Sequence, residues 1–233
     1  MRVYLLRHGE SCSNAAVGLV SLPEEEGDCL SPLGERQAKF AAERIAADLD
    51  VARIVCSPMA RARQTAAPIA QLTGVEPEIW DWIHELQEPQ GYEELPGPEQ
   101  QRLRWSNRMR EHADDPEHAP AGAESFAALV RRVERMRRRL ALDAVDRTLI
   151  VGHGIFFRFV FALTLLGEDF TPAAIDRLWR IGSLNCGLSI FEHTSSAGSA
   201  NPADIEGWRY VSWMIPTVPP AEVTGTGGGG AGN

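Results

Sequence analysis

Three short apolar runs constrain this chain more than any other feature. Residues 3–6 (Val-Tyr-Leu-Leu), 53–56 (Arg-Ile-Val-Cys) and 148–152 (Thr-Leu-Ile-Val-Gly) are rich in branched aliphatics and too short for helices. A run that is apolar at successive positions is buried on both faces, as strands inside a parallel sheet are. Parallel neighbours need long crossover connections, and the stretches between these runs can supply them. Helices are predicted at about 32–49, 58–72, 124–143, 156–166 and 172–179. Ser31-Pro32, Ser57-Pro58 and Thr171-Pro172 each place a capping hydroxyl before a proline at the first helical position. Two more strands are expected at 188–191 and 208–214, the second either closing the sheet edge or pairing with another chain. The expected fold is α/β, a three-layer sandwich with a mostly parallel central sheet.

Residues 80–122 break this rhythm. They carry Pro89, Pro96, Pro98, Pro116 and Pro120, with one predicted helix near 99–112. A long irregular insertion in a compact domain is often a lid or binding loop. Trp80, Trp82 and Trp105 read as core or lid packing in preference to pocket lining. One domain is expected to cover 1–216, and 217–233 to be a disordered, glycine-rich tail with little to bury.

A formal net charge of -9 disfavours a sequence-independent grip on nucleic acid. The group Arg131, Arg132, Arg135, Arg137, Arg138 and Arg139 is interleaved with apolar residues at steps of three and four. It reads as the solvated face of an amphipathic helix. No apolar run approaches the roughly 20 residues of a membrane-spanning helix, and the N-terminal apolar stretch is too short for a signal-peptide core. A cytoplasmic protein with no membrane partner is expected. Cys12, Cys29, Cys56 and Cys186 lack metal-ligand spacing and are expected to be free thiols. Oligomeric state has no visible signature.

Ligands of open α/β sheets bind just beyond the carboxyl ends of the strands. Arg7-His8-Gly9-Glu10-Ser11, with Asn14 close behind, follows the first apolar run. Ser57-Pro58-Met59-Ala60-Arg61 follows the second, and Gly152-His153-Gly154 overlaps the end of the third. If the strands are parallel, two arginines and two histidines meet at one edge. Such a cluster repels itself unless an anion sits in it, and a phosphoryl group suits it.

Taken together, these residues resemble the histidine phosphatase superfamily, in the branch that contains cofactor-dependent phosphoglycerate mutase. The likeness starts at Arg7-His8-Gly9-Glu10 with Asn14. It continues through Leu30-Ser31-Pro32-Leu33-Gly34 with Gln37-Ala38, and Ser57-Pro58-Met59-Ala60-Arg61-Ala62 with Thr65-Ala66. Glu85 with Gly91-Tyr92-Glu93, Gly122-Ala123-Glu124-Ser125 and Val151-Gly152-His153-Gly154 complete it in the family's order. The resemblance implies that His8 is the nucleophile and that Arg7, Arg61 and His153 hold the phosphoryl oxygens. Asn14 would add a side-chain hydrogen bond, and Glu85 would be the general acid and base. No metal and no cofactor is implied.

Glu10, Glu88, Glu93 and Glu94 lie close enough to compete for the role of Glu85, and the family's spacing to Gly91 selects Glu85. Phosphoryl transfer asks a protein mainly for positioning and for positive charge around the equatorial oxygens. Two guanidinium forks meet that need. Cys12 lies in the nucleophile loop beside the cations, which would lower a thiol's pKa; a small filler is the favoured reading and a redox role the alternative.

Within the family, the run after Glu85 (Leu86-Gln87-Glu88-Pro89-Gln90-Gly91-Tyr92-Glu93) is acidic and lacks the basic residues with which the mutase grips phosphoglycerate. The expected activity is therefore hydrolysis of a small phosphorylated metabolite. A phosphoglycerate mutase-type transfer is the alternative, because Arg102, Arg104, Arg108 and Arg110 could bring charge from the insertion. A phosphate-binding protein without turnover and a metal hydrolase are the readings from other classes.

Overall fold

The computed structural model describes residues 1–15, 28–87, 98–119, 122–194 and 207–226. Along the chain come β1 (Arg2–Arg7), α1 (Cys12–Ala15), α2 (Pro32–Asp48), β2 (Arg53–Cys56), α3 (Ala60–Thr73) and β3 (Pro77–Ile79). They are followed by α4 (Pro98–Glu111), α5 (Phe126–Asp143), β4 (Thr148–Gly152), α6 (Gly154–Leu166) and a 3-10 segment, Pro172–Arg180. The chain continues through β5 (Ser183–Leu184), β6 (Gly187–His193), β7 (Trp208–Pro216) and β8 (Gly225–Thr226).

One six-stranded sheet has the order β3-β2-β4-β1-β6-β7, and β5 pairs with β8 apart from it. β1 to β4 run parallel, whereas β6 and β7 add antiparallel strands beyond β1. Alternation along each strand serves two helical layers. Val3, Leu5, Val55 and Ile150 pack with Leu129 and Val133 of α5 and Phe156 and Phe159 of α6. Tyr4, Leu6, Ile54, Leu149 and Val151 pack with Ala41 and Ile45 of α2 and Ala62 and Ile69 of α3. Both faces of β1, β2 and β4 are covered, which is why their sequences are apolar at successive positions. The three-layer α/β sandwich is the observed fold.

Several boundaries differ from expectation for physical reasons. Ser31 caps α2 by accepting from Gly34 N, and Ser125 caps α5 by accepting from Ala128 N. Ser57 caps nothing: α3 starts at Ala60 after Met59, and the Ser57 hydroxyl turns to His153 instead. Thr171 makes no capping bond, and the segment after it is 3-10, not α-helical. β3, a three-residue edge strand beginning with Pro77, offers no apolar run to read, and proline is tolerated only at such an edge. β7 pairs with β6 and closes the other edge of the sheet.

The chain does not become a loose tail at residue 217. Thr217 and Val218 are buried, and Asn185 N donates to Thr224 O at 2.8 Å. A Cβ at Gly225 would lie 2.4 Å from Ser183 O, so this glycine serves close strand approach, not disorder. Residues 227–233 lie outside the described residues.

The arginines of α5 are not uniformly solvated either. Arg131, Arg138 and Arg139 make surface ion pairs. Arg137 is buried, and desolvation pushes its guanidinium down to about 10. Arg135 stacks 3.8 Å over Trp82, and Arg132 points into the domain. In the insertion, Trp80 and Trp105 are core residues, and Trp82 stacks on Trp80 at 5.1 Å.

Candidate active site

The site forms where β2, β4 and β1 end side by side. Arg7 is in register with Gly152, and Cys56 with Val151. His8 N donates to Gly152 O at 3.0 Å and Ser57 N to Val151 O at 3.1 Å, so the three loops leave the sheet together. The loop that carries His8 is seated by close packing. A Cβ on Gly9 would meet Gly34 O at 2.7 Å, and one on Gly34 would meet Glu10 O at 2.0 Å. Gly9 N donates to Thr65 Oγ1 at 3.0 Å and Glu10 N to Gln37 Oε1 at 2.7 Å.

His8 is buried, with Nδ1 2.6 Å from the Gly9 carbonyl oxygen. A carbonyl only accepts, so Nδ1 carries the proton and Nε2 presents its lone pair. Arg61 Nε donates to that lone pair at 3.1 Å. Arg61 also forms a short ion pair with Asp28, whose other carboxylate oxygen accepts from Ala60 N at 2.7 Å. An internal carboxylate thus neutralises one of the cations of the cluster.

His153 lies 5.3 Å from His8 between ring centroids and is fully buried. Burial, reinforced by Arg61, His8, Arg7 and His84, holds its pKa well below the ordinary imidazole value. Its ring is therefore neutral. His153 Nε2 is 2.7 Å from Ser57 Oγ, which already accepts from Met59 N. The Ser57 hydroxyl can donate to Nε2, the arrangement that would put the ring proton on Nδ1; Nδ1 has no hydrogen-bond partner among the described residues.

Arg7 is buried and donates to Ser183 O. A Cβ on Gly154 would fall 3.2 Å from Arg7 Nε, so glycine there leaves room for the guanidinium. Asn14, on α1, is tied in through Asn185. Asn185 Nδ2 reaches both His8 O at 3.2 Å and Asn14 Oδ1 at 3.5 Å.

Glu85 enters from the insertion. Its Oε2 accepts from Ile155 N, and its Oε1 from Phe156 N and Leu86 N, each at 3.0 Å. Its carboxylate thus sits at the start of α6, two residues past His153, where backbone N–H groups favour an anion. All six sequence-predicted site residues gather at this one edge.

Sequence reasoning missed four contributors. Ser57 has the local pattern of a helix cap. Asp28 lay in a stretch with no readable pattern, and Asn185 in a turn remote in sequence. Arg132 was counted with a solvated face, yet it grips Glu124 through Nε and Nη2 at 2.6 and 2.5 Å. Its Nη1 donates to Trp82 O and His84 O at 2.9 and 2.8 Å, immediately before Glu85. Ser57 and Glu124 each belong to one of the motif blocks, whereas no sequence signal marks Asp28, Asn185 or Arg132. The competing Glu88, Glu93 and Glu94 lie outside the described residues.

The expectation for Cys12 is reversed. Its thiol lies 3.3 Å from that of Cys29, and this contact, followed by burial, pushes its pKa up. Among the described residues, no three His, Cys, Asp or Glu side chains gather as a metal-ligand set. No described helix is long and apolar enough to cross a membrane.

Comparison with known proteins agrees with this architecture. The chain is 30% identical over 225 residues to a protein named probable phosphoglycerate mutase GpmB in Serratia proteamaculans, covering 93% of this chain and 92% of that one. A mycobacterial glucosyl-3-phosphoglycerate phosphatase solved with VO3 superposes with a TM-score of 0.66 at 22% identity, over 91% of this chain and 98% of that one. A phosphoserine phosphatase of Entamoeba histolytica, solved with 3-phosphoglyceric acid, gives 0.63 at 20% identity, over 92% and 96%. The model of the histidine phosphatase superfamily (branch 1) matches residues 3–201, and the chain belongs to that family.

Proposed function

We propose that this chain is a metal-independent phosphomonoester hydrolase that acts on a small phosphorylated metabolite through a phosphohistidine on His8. The observation that carries this reading is the tautomer of His8. The Gly9 carbonyl fixes the proton on Nδ1, and the Nε2 lone pair faces the Arg61 guanidinium. A phosphoryl group taking the place of Arg61 Nε on that line would meet a nucleophile already aimed at it.

Each remaining residue then has a task. Arg7 and Arg61 neutralise the equatorial oxygens, and the His153 Nδ1–H and the Asn14 amide add donors. His8 Nε2 forms a bond to phosphorus as the bond to the ester oxygen breaks, and Glu85, entering this step in its protonated form, gives that oxygen its proton and is left as the carboxylate. The Glu85 carboxylate next takes a proton from water, whose oxygen displaces His8 and releases inorganic phosphate. Oε2 of Glu85, with one backbone donor against two on Oε1, is the better-placed atom for that proton.

The names of the curated relatives favour a second reading, transfer between positions of phosphoglycerate. The acidic run that argues against it on sequence grounds lies partly outside the described residues. The two readings separate when phosphoglycerate is supplied: a hydrolase releases inorganic phosphate, and a mutase returns the isomer. The direct test is turnover of p-nitrophenyl phosphate in EDTA by the wild type and by His8→Ala. Activity in the wild type alone supports the proposal, and activity surviving in His8→Ala would overturn it.

A further inference from the structure

We propose that Cys12 and Cys29 form a reversible disulfide that fixes Asp28 on Arg61 and thereby weakens phosphate binding. Its consequence for substrate rests on the phosphatase reading above, whereas its formation does not. Ser11 and Leu30 form an antiparallel bridge, and Cys12 N donates to Cys29 O at 2.9 Å. Cys12 and Cys29 are therefore directly opposed. Opposed residues of an antiparallel pair have Cα atoms about 4.5–5.5 Å apart, inside the range of about 4.4–6.8 Å that a disulfide accepts. The sulfurs are 3.3 Å apart and both thiols are half-buried, so a small oxidant reaches them. Cys56 and Cys186 are buried, and desolvation pushes their thiols up to about 12, which leaves them inert near neutral pH.

The pair sits beside Asp28, the carboxylate paired with Arg61. Cys29 follows Asp28, whose carboxylate holds both Arg61 and the first N–H of α3. Cys12 opens α1, which carries Asn14. For a phosphoryl group to take Arg61, Asp28 must withdraw. A covalent tie from Cys29 to the nucleophile loop opposes that withdrawal and keeps the carboxylate in competition with phosphate.

With hydrogen peroxide as oxidant, one thiolate attacks a peroxide oxygen, forming S–O as O–O breaks and hydroxide leaves. The second thiolate then displaces hydroxide from the sulfenic sulfur, forming S–S. Two thiols and one peroxide give one disulfide and two waters.

The test uses the full-length protein, reduced or treated with peroxide and then catalase. A non-reduced digest is mapped by mass spectrometry, and binding of inorganic phosphate is measured by calorimetry. The expected result is a Cys12–Cys29 cross-link, a phosphate affinity lowered by about tenfold, the worth of one charge-assisted hydrogen bond, and recovery in dithiothreitol. Cys29→Ser and Cys12→Ser should each keep the reduced affinity after peroxide. Thiols that remain alkylatable, or a cross-link that leaves phosphate affinity unchanged, would overturn the proposal. Turnover by the reduced protein tests the phosphatase reading separately, and its absence would leave the cross-link result standing.

Discussion

Replacing Arg132 by alanine should destabilise the domain and loosen Glu85 together. Arg132 and Glu124 form a bidentate pair with side chains only 13% and 7% exposed. Breaking such a pair from one side costs about 3–5 kcal/mol, because a buried charge is left behind. Two carbonyls lose their donor as well, and the guanidinium leaves its place 5.2 Å over the Phe156 ring. Partial access to water trims the sum, so we expect about 4 kcal/mol. In a domain of this size that lowers Tm by about 10 °C.

The lost carbonyl bonds are at Trp82 and His84, and Phe156 is one of the residues that hold the Glu85 carboxylate. In the proton-carrying role proposed for Glu85, that slack should lower kcat by about tenfold to a hundredfold. Urea denaturation and steady-state turnover read the two effects separately. The double substitution Arg132→Met with Glu124→Leu should recover most of the stability, since it leaves no orphaned charge. A loss below about 1 kcal/mol in Arg132→Ala would mean the pair behaves like an exposed one, which would refute the reasoning. A full stability loss with unchanged kcat would refute the positioning role alone.

Other expectations follow from the same geometry. His153 is held neutral in the folded state, so below about pH 6.5 the unfolded chain binds one more proton there. The unfolding free energy should then fall by up to about 1.4 kcal/mol per pH unit on acidification. His153→Gln should flatten that slope by one proton between pH 6.5 and 5, and an unchanged slope would remove His153 as its source. Ser57→Ala leaves His153 Nε2 buried without its partner and should cost about 1–3 kcal/mol. It should also lower kcat/KM by about tenfold, and wild-type kinetics would show that Ser57 does not orient the ring. Gly34→Ala pushes a methyl group into Glu10 O and should displace the loop that carries His8, at a cost of about 1–3 kcal/mol. A fully active, fully stable Gly34→Ala variant would contradict the close packing described.

The parallel core was legible because both faces of β1, β2 and β4 are covered, which makes their sequences apolar at every step. The site was legible for a related reason. Its main residues follow those strands immediately, so the chain order of Arg7-His8, Arg61 and His153 translates directly into spatial neighbourhood. What escaped was set by tertiary contact. Ser57 has the local pattern of a helix cap, yet His153 offers its hydroxyl a better-placed acceptor. Arg132 shares its helix with surface arginines, and its inward turn depends on Glu124 and on carbonyls some 50 residues away. The glycine-rich end reads as loose chain, because sequence alone does not reveal that Gly225 lies against Ser183.

The central claim is that His8 Nε2 accepts the phosphoryl group. Rapid-quench mixing with a phosphomonoester, followed by digestion at alkaline pH and mass spectrometry, tests it most directly. The account expects a transient phosphoryl adduct, stable to alkali and labile to acid, on the peptide containing His8 and absent from His8→Ala. Turnover with no adduct at any time point, or an adduct on another residue, would contradict it.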